Sequence, residues 1–217
     1  ELSIRAYAEL EQPARHLLRQ PREAPLTLQP HALAELALAR QPQRQHGEDD
    51  GHRARGEGAH SALMINGSQR VIFDPAGSWN HPAIPERHDV LYGITPNFKN
   101  FYIDYHARET YWVAEDTKLV TREVADAAIR AAQAQGATNK SFCAVSTGQV
   151  LRKIPGFEGA PSGFSPLKLR SWFLTLPGVT SRKHQDGDPA NNHNVLLRQK
   201  NGVVAGYGAD GQLHAMK

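Results

Sequence analysis

"HSALMINGSQRVIFDPAG", residues 60–77, is the stretch on which the fold turns. A short apolar run ends at a Gly67-Ser68 turn signal, and a second run follows and stops at Pro75 and Gly77. Two such runs about a glycine-containing turn read as a β-hairpin. Pairing them carries His60, which opens the first strand, and Asp74, which closes the second, to the same end of the ribbon.

Downstream, the hydropathy pattern continues as alternating strands and helices. "HDVLYGIT" (88–95) reads as a third strand, and "TYWVAEDTKLV" (110–120), rich in aromatic and β-branched residues, as a fourth. "TREVADAAIRAAQAQG" (121–136) is a helix with Thr121 as N-cap, Glu123 and Asp126 near its start and Gly136 as its stop. Val124, Ala127, Ala128, Ala131 and Ala132 define its apolar face. "SFCAVSTGQVLRKI" (141–154) follows as a second helix, capped by Ser141 or Asn139 and ended by Pro155 and Gly156. "SPLKLRSWFLTLPG" (165–178) is a third, with Pro166 near its start.

The chain's one cysteine, Cys143, falls in the first turn of the 141–154 helix. A helix N-terminus stabilises a thiolate, and a nearby imidazole stabilises it further. Cys143 is therefore a candidate nucleophile, against the alternative of a small buried hydrophobe. His60 is the best-placed of the 11 histidines to act as its base. Asp74 is a candidate to orient His60, as the third member of a triad does. "DPAG" is equally a turn sequence, so Asp74 also has a purely structural reading.

The order His60, Asp74, then Cys143 at a helix start resembles the circularly permuted NlpC-like branch of the papain-fold cysteine hydrolases, which includes lecithin retinol acyltransferase-like proteins. The segments that carry the resemblance are "HSALMI", matching a strand of the form H-x-x-[IL]-x-[IV], then "RVIFDPAG", "TYWVAEDTKLVTREVADAAIRAA" and "SFCAVSTGQVL". They span about residues 59–155. The resemblance implies an α+β fold, papain-like and permuted, with a small antiparallel sheet packed against helices. It implies a cysteine amidase or peptidase with Cys143, His60 and Asp74 as catalytic residues and no cofactor. Peptide or peptidoglycan stems are the implied substrate class, and the cell envelope or the secreted fraction the favoured compartment. A thioesterase or acyltransferase acting on a lipid acyl group is the rival within the same chemistry. A non-catalytic binding module of the same fold is the rival outside it.

Composition bounds these readings. The 217 residues suit one domain with appendages, at 40% hydrophobic and 22% charged. A single cysteine excludes an internal disulfide framework and a cysteine-based zinc site. His81, His88, Asp89, His184 and His193 lack a tight metal-ligand spacing, so no metal is expected. The net charge is only +3, although the pI is about 9.1, and the basic residues are dispersed. Nucleic acid is thus not an expected partner, while weak attraction to an acidic cell wall or membrane surface fits. No apolar run approaches the roughly 18 residues of a membrane span, and "ELSIRAYAELEQ" lacks the pattern of a signal peptide.

Three regions are expected. Residues 1–59 form an N-terminal extension, helical or partly disordered and able to contact a protein partner, with helices over 2–20 and over "PHALAELALAR" (30–40). Residues 44–59, polar and rich in glycine, are a linker or a flap at the rim of the cleft. Residues 60–179 are the catalytic domain, and 180–217 a polar tail, either a terminal hairpin or loosely ordered.

Overall fold

The computed structural model describes residues 34–42, 60–109, 111–201, 204–207 and 213–216. In chain order the strands are β1 (Ala34–Pro42), β2 (Leu63–Asn66), β3 (Arg70–Phe73), β4 (Glu86–Arg87), β5 (Val90–Tyr92), β6 (Tyr111–Lys118), β7 (Thr180–His184), β8 (Val204–Tyr207) and β9 (Leu213–Met216). The helices are α1 (Pro96–His106), α2 (Arg122–Gln133), α3 (Cys143–Leu151), α4 (Pro166–Phe173) and α5 (His193–Lys200). The architecture is α+β. One seven-stranded sheet runs β4-β5-β3-β2-β1-β6-β7 with all neighbours antiparallel, and β8 and β9 form a separate hairpin.

The hairpin over 60–77 forms as β2 and β3, in a register that sets Leu63 opposite Phe73 and Asn66 opposite Arg70. Its side chains divide between two cores. Leu63, Ile65, Val71 and Phe73 join α2, α3 and α4 through Ile129, Leu151, Leu169 and Phe173. Ala62, Met64 and Ile72 join α1 through Phe101, Tyr102 and Ile103 on the other face. Both faces are covered, which is why β2 reads as a continuous apolar run and not as an alternating one.

Helix starts follow their sequence signals. Thr121 Oγ1 accepts from Val124 N, and Ser165 Oγ from Lys168 N. Thr95 does the same for Phe98 N and has Pro96 behind it, a helix-start signal for α1. On α2 the buried positions are Ala125, Ala128, Ile129, Ala131 and Ala132, so the apolar face is rotated from the expected one toward Ile129, whose larger side chain fills the core.

Two expectations about the flanking regions are corrected. The helix expected over 30–40 is instead strand β1 where it is described, and it sits inside the sheet between β2 and β6. "AELALAR" fits a helix by propensity, but a gap between two strands is filled only by a strand, and backbone pairing on both sides overrides propensity. Residues 34–42 therefore belong to the sheet and not to a separate extension. The helix expected over 2–20 and the linker or flap over 44–59 lie outside the described residues.

The tail from 180 also joins the main body. Strand β7 pairs with β6 at the sheet edge, and α5 docks on α1 through buried Gln199. That amide donates to Phe101 O at 2.7 Å and to Asp104 Oδ2 at 2.9 Å, and accepts from Trp79 Nε1 at 3.0 Å. A polar residue whose bonds are all made can be buried, so the polarity of this segment gave a poor guide to its packing. The hairpin expected near the C-terminus is present as β8 and β9. Among the described residues no helix is long and apolar enough to cross a membrane.

Candidate active site

His60 lies just before β2, and Asp74 directly follows β3. Extending the register by one pair sets Asp74 opposite Ala62, diagonal to His60 and within reach of a long side chain. His60 Nε2 meets Asp74 Oδ1 at 2.5 Å. The aspartate is almost fully buried and the histidine side chain 15% exposed. Tyr102 of α1 donates its hydroxyl to the same Asp74 oxygen at 2.9 Å.

The turn after β3 holds the carboxylate in place. Gly77 N donates to Asp74 O at 2.9 Å. A Cβ on Gly77 would lie 1.9 Å from Asp74 Oδ2, closer than any real contact. Gly77→Ala is therefore expected to push Asp74 away from His60, at a stability cost of about 1–3 kcal/mol, the usual range for overpacking. It should also slow iodoacetamide labelling of Cys143 at neutral pH. Unchanged labelling in the variant would mean that Asp74 does not set the state of the thiol.

Cys143 is the first residue of α3 and is 7% exposed. The cap differs from expectation. Neither Ser141 nor Asn139 caps the helix; the N-cap is Phe142, with no side-chain hydrogen bond. Ser141 instead takes a left-handed conformation at φ 72°, and Phe142 N donates to Asn139 O at 3.2 Å. The tight turn over 139–142 uses the residues that would otherwise cap. It leaves the first backbone N–H groups of α3 without a side-chain acceptor, beside the thiol.

His60 lies near enough to Cys143 for the two to shift one another's pKa. Nε2 is committed to Asp74, which leaves Nδ1 as the ring nitrogen without that partner. Burial would raise the thiol pKa, but the hydrogen bond and charge of His60, with hydrogen bonds from Ser61, bring it below the ordinary value. Burial would lower the imidazole pKa, but the charge and hydrogen bond of Asp74, joined by those of Cys143, raise it to about 10. Asp74 is itself held below the usual carboxylate range: burial acts upward, and His60, His106 and Tyr102 outweigh it. All three directions favour the charged forms: thiolate, imidazolium and carboxylate.

The three residues singled out from the sequence are thus brought together, at the end of the sheet where the two helical layers meet. Others were not anticipated. Ser61 is fully buried on the α3 side, with its hydroxyl 3.5 Å from Thr147 Oγ1, and supports the thiol. His106 of α1 stacks on His60 with ring centroids 5.9 Å apart and planes 4° from parallel. Its Nδ1–H donates to Tyr102 O at 2.7 Å. Nothing in the spacing of 74 and 102 signals the contact of Tyr102 with Asp74.

Among the described residues, two groups could present ligand atoms to a metal ion: His60 with Asp74 and His106, and Asp104 with Asp186 and Asp188, each set within 4.8 Å. In the first, the Asp74 and His60 atoms are already bound to one another. Of the other histidines weighed from sequence, His184 is buried and pairs with Glu115. His81 Nδ1 accepts from Ala83 N at 3.1 Å. None of the family models, curated proteins or solved structures compared with this chain matches it.

Proposed function

We propose that this chain is a cysteine hydrolase that cleaves an amide bond through an acyl-enzyme on Cys143. The observation that carries the reading is the buried His60–Asp74 pair at 2.5 Å, placed near a thiol at an uncapped helix start. A cysteine kept only for packing needs none of these. The lowering of the thiol pKa by His60 also tells against a binding module that has lost its chemistry.

In this reading the Cys143 thiolate attacks the carbonyl carbon and the C=O pair moves to oxygen. The Cys143 backbone N–H at the start of α3 donates to that oxyanion. Collapse of the adduct breaks the C–N bond, and protonated His60 gives its proton to the leaving amine. Neutral His60 then takes a proton from water, whose oxygen attacks the thioester and releases the carboxylic acid and the thiolate. Asp74 keeps the ring oriented and stabilises the imidazolium. A papain-like fold in permuted order is the finer form of this proposal, supported by the order of histidine strand, aspartate and cysteine helix. Peptides, including peptidoglycan stems, are the proposed substrates, and the cell envelope or the exterior the proposed setting. The alternative acyl substrate, a lipid thioester or ester, is favoured by one observation: Phe142 and Phe164 are 41% and 65% exposed close to Cys143.

The test is to mix the protein with a panel of peptide amides, acyl esters and acyl thioesters, quench in acid and weigh the intact chain. The expected result is an acyl adduct that maps to Cys143, with release of amine from the amides. Turnover of esters and thioesters with none of amides would move the assignment to the acyltransferase side. No adduct and no turnover on any of the three would end it.

A further inference from the structure

Large apolar side chains here are mostly buried. Among the described residues Phe142, Phe164, Leu174 and Leu197 are the exposed ones. Two of the four pack against each other, Phe142 and Phe164 meeting edge to face with centroids 5.0 Å apart. Phe142 immediately precedes Cys143, so the paired rings stand at the rim of the candidate site. Exposed aromatic surface is costly in water, and a patch of it beside a reactive group marks a binding surface.

Beside Phe164 lies a cavity of about 310 Å³, whose lining includes Pro161, Ser162, Phe164, Ser165, Lys168 and Leu169. Its far wall is braced. Arg152 Nη1 of the α3 C-cap donates to Ala160 O at 3.1 Å and Pro161 O at 3.0 Å. Gly148 allows that wall to close on α3, since a Cβ there would lie 2.7 Å from Pro161 O. The cavity is therefore preformed. Its volume is at the low end of the roughly 300–1,000 Å³ of small-molecule sites, which suits one side chain better than a long acyl tail. Lys168 is exposed on the lining, and no carboxylate pairs with it among the described residues.

We infer that Phe142, Phe164 and this cavity bind one aromatic or branched apolar side chain of a peptide substrate beside the scissile carbonyl, and that Lys168 pairs with a carboxylate on the same peptide. The inference rests on the assignment of Cys143 as nucleophile and deepens it. The aromatic pair supplies dispersion and area, the cavity excludes charged side chains by desolvation, and the lysine fixes the direction in which the peptide lies.

The test uses alkylating probes of increasing shape: chloroacetamide, its N-benzyl derivative and its N-(3-carboxybenzyl) derivative. In the wild-type protein the benzyl probe should label Cys143 about tenfold faster than the parent, the lower end of what apolar pocket contacts yield. The added carboxylate should give a further gain. Phe164→Ala should collapse the benzyl-to-parent ratio toward one, and Lys168→Gln should erase the gain from the carboxylate, while Leu174→Ala, at an exposed leucine outside the cavity lining, keeps both ratios. Ratios unmoved by the first two variants would overturn the inference. So would rates that keep rising with straight alkyl probes up to dodecyl and ignore Lys168→Gln, which would mean a long acyl chain. A second measurement does not need a reactive thiol: calorimetric binding of N-acetylphenylalanine to Cys143→Ala protein. Binding that is lost with Phe164→Ala supports the subsite even if Cys143 proves inert and the hydrolase reading fails. Absence of binding to Cys143→Ala overturns the subsite even if hydrolysis is found.

Discussion

Cys143→Ala is expected to remove turnover by about 10⁶-fold, the scale on which loss of a nucleophile acts when the other catalytic groups remain. The side chain is small and α3 starts without its help, so the fold should persist, with an unchanged far-ultraviolet spectrum. The pH profile of the unaltered protein carries the same prediction in a finer form. The thiol pKa lies below the ordinary value, held down by His60 and Ser61 against the upward push of burial. Iodoacetamide labelling should thus reach its plateau at lower pH than the roughly 8.5 of a free cysteine. The His60 imidazolium persists until about pH 10. Turnover of an amide, which needs that proton for the leaving amine, should fall as pH rises through about 10, while labelling, which needs only the thiolate, should not. A labelling midpoint at the ordinary thiol value would remove the ion pair from the account. Parallel loss of labelling and turnover at high pH would remove His60 as the acid.

The second large effect is on stability. Asp74→Asn leaves the shape of the side chain and removes its charge, so the His60 imidazolium loses a buried partner. Breaking such a pair costs about 3–5 kcal/mol. The pH dependence follows from the two shifts. Asp74 is lowered in the folded state, so its contribution is present above the unfolded carboxylate value of about 3.9 and is lost as pH falls through its folded value. His60 is raised to about 10, so its contribution is complete below the unfolded value of about 6.5 and fades as pH climbs toward 10. The penalty of Asp74→Asn should therefore be largest near pH 5–6 and smaller at pH 10, as urea unfolding at a series of pH values would show. A penalty of equal size across that range would mean that the pair is not ionised. Labelling of Cys143 should also shift toward the ordinary thiol range in this variant, because the imidazole that depresses the thiol would itself be less basic.

Much of the fold that positions the site was legible. The β2–β3 hairpin was readable from residues 60–77, because strand runs and their turn are contiguous and their pairing is local. The starts of α2 and α4 were readable from Thr121 and Pro166, since capping involves only the first turn. Cys143 was readable at the start of a helix, and the register of a short hairpin was enough to set His60 and Asp74 near one another. The exact cap of α3 was not readable: Asn139 and Ser141 are good capping residues, but the backbone at Ser141 turns left-handed and takes both out of position.

What lay beyond local pattern was decided by contacts between distant segments. "AELALAR" carries a helical propensity in isolation and became β1 because β2 and β6 pair with it on both sides. The tail from 180 reads as polar, yet β7 completes the sheet edge and Gln199 is buried with its bonds satisfied by Phe101, Asp104 and Trp79. Asp74, for which turn and site readings were evenly matched, serves both: its backbone makes the turn to Gly77 and its carboxylate holds His60. Tyr102 and His106 reach it from α1, and Ser61 acts on Cys143 across a long stretch of chain, so none of these has a local signature. Periodicity and capping act over a few residues and can be read along a chain. The burial and hydrogen bonding that shift His60, Asp74 and Cys143 are sums over neighbours, and those neighbours exist only once the sheet has closed between its two layers of helices.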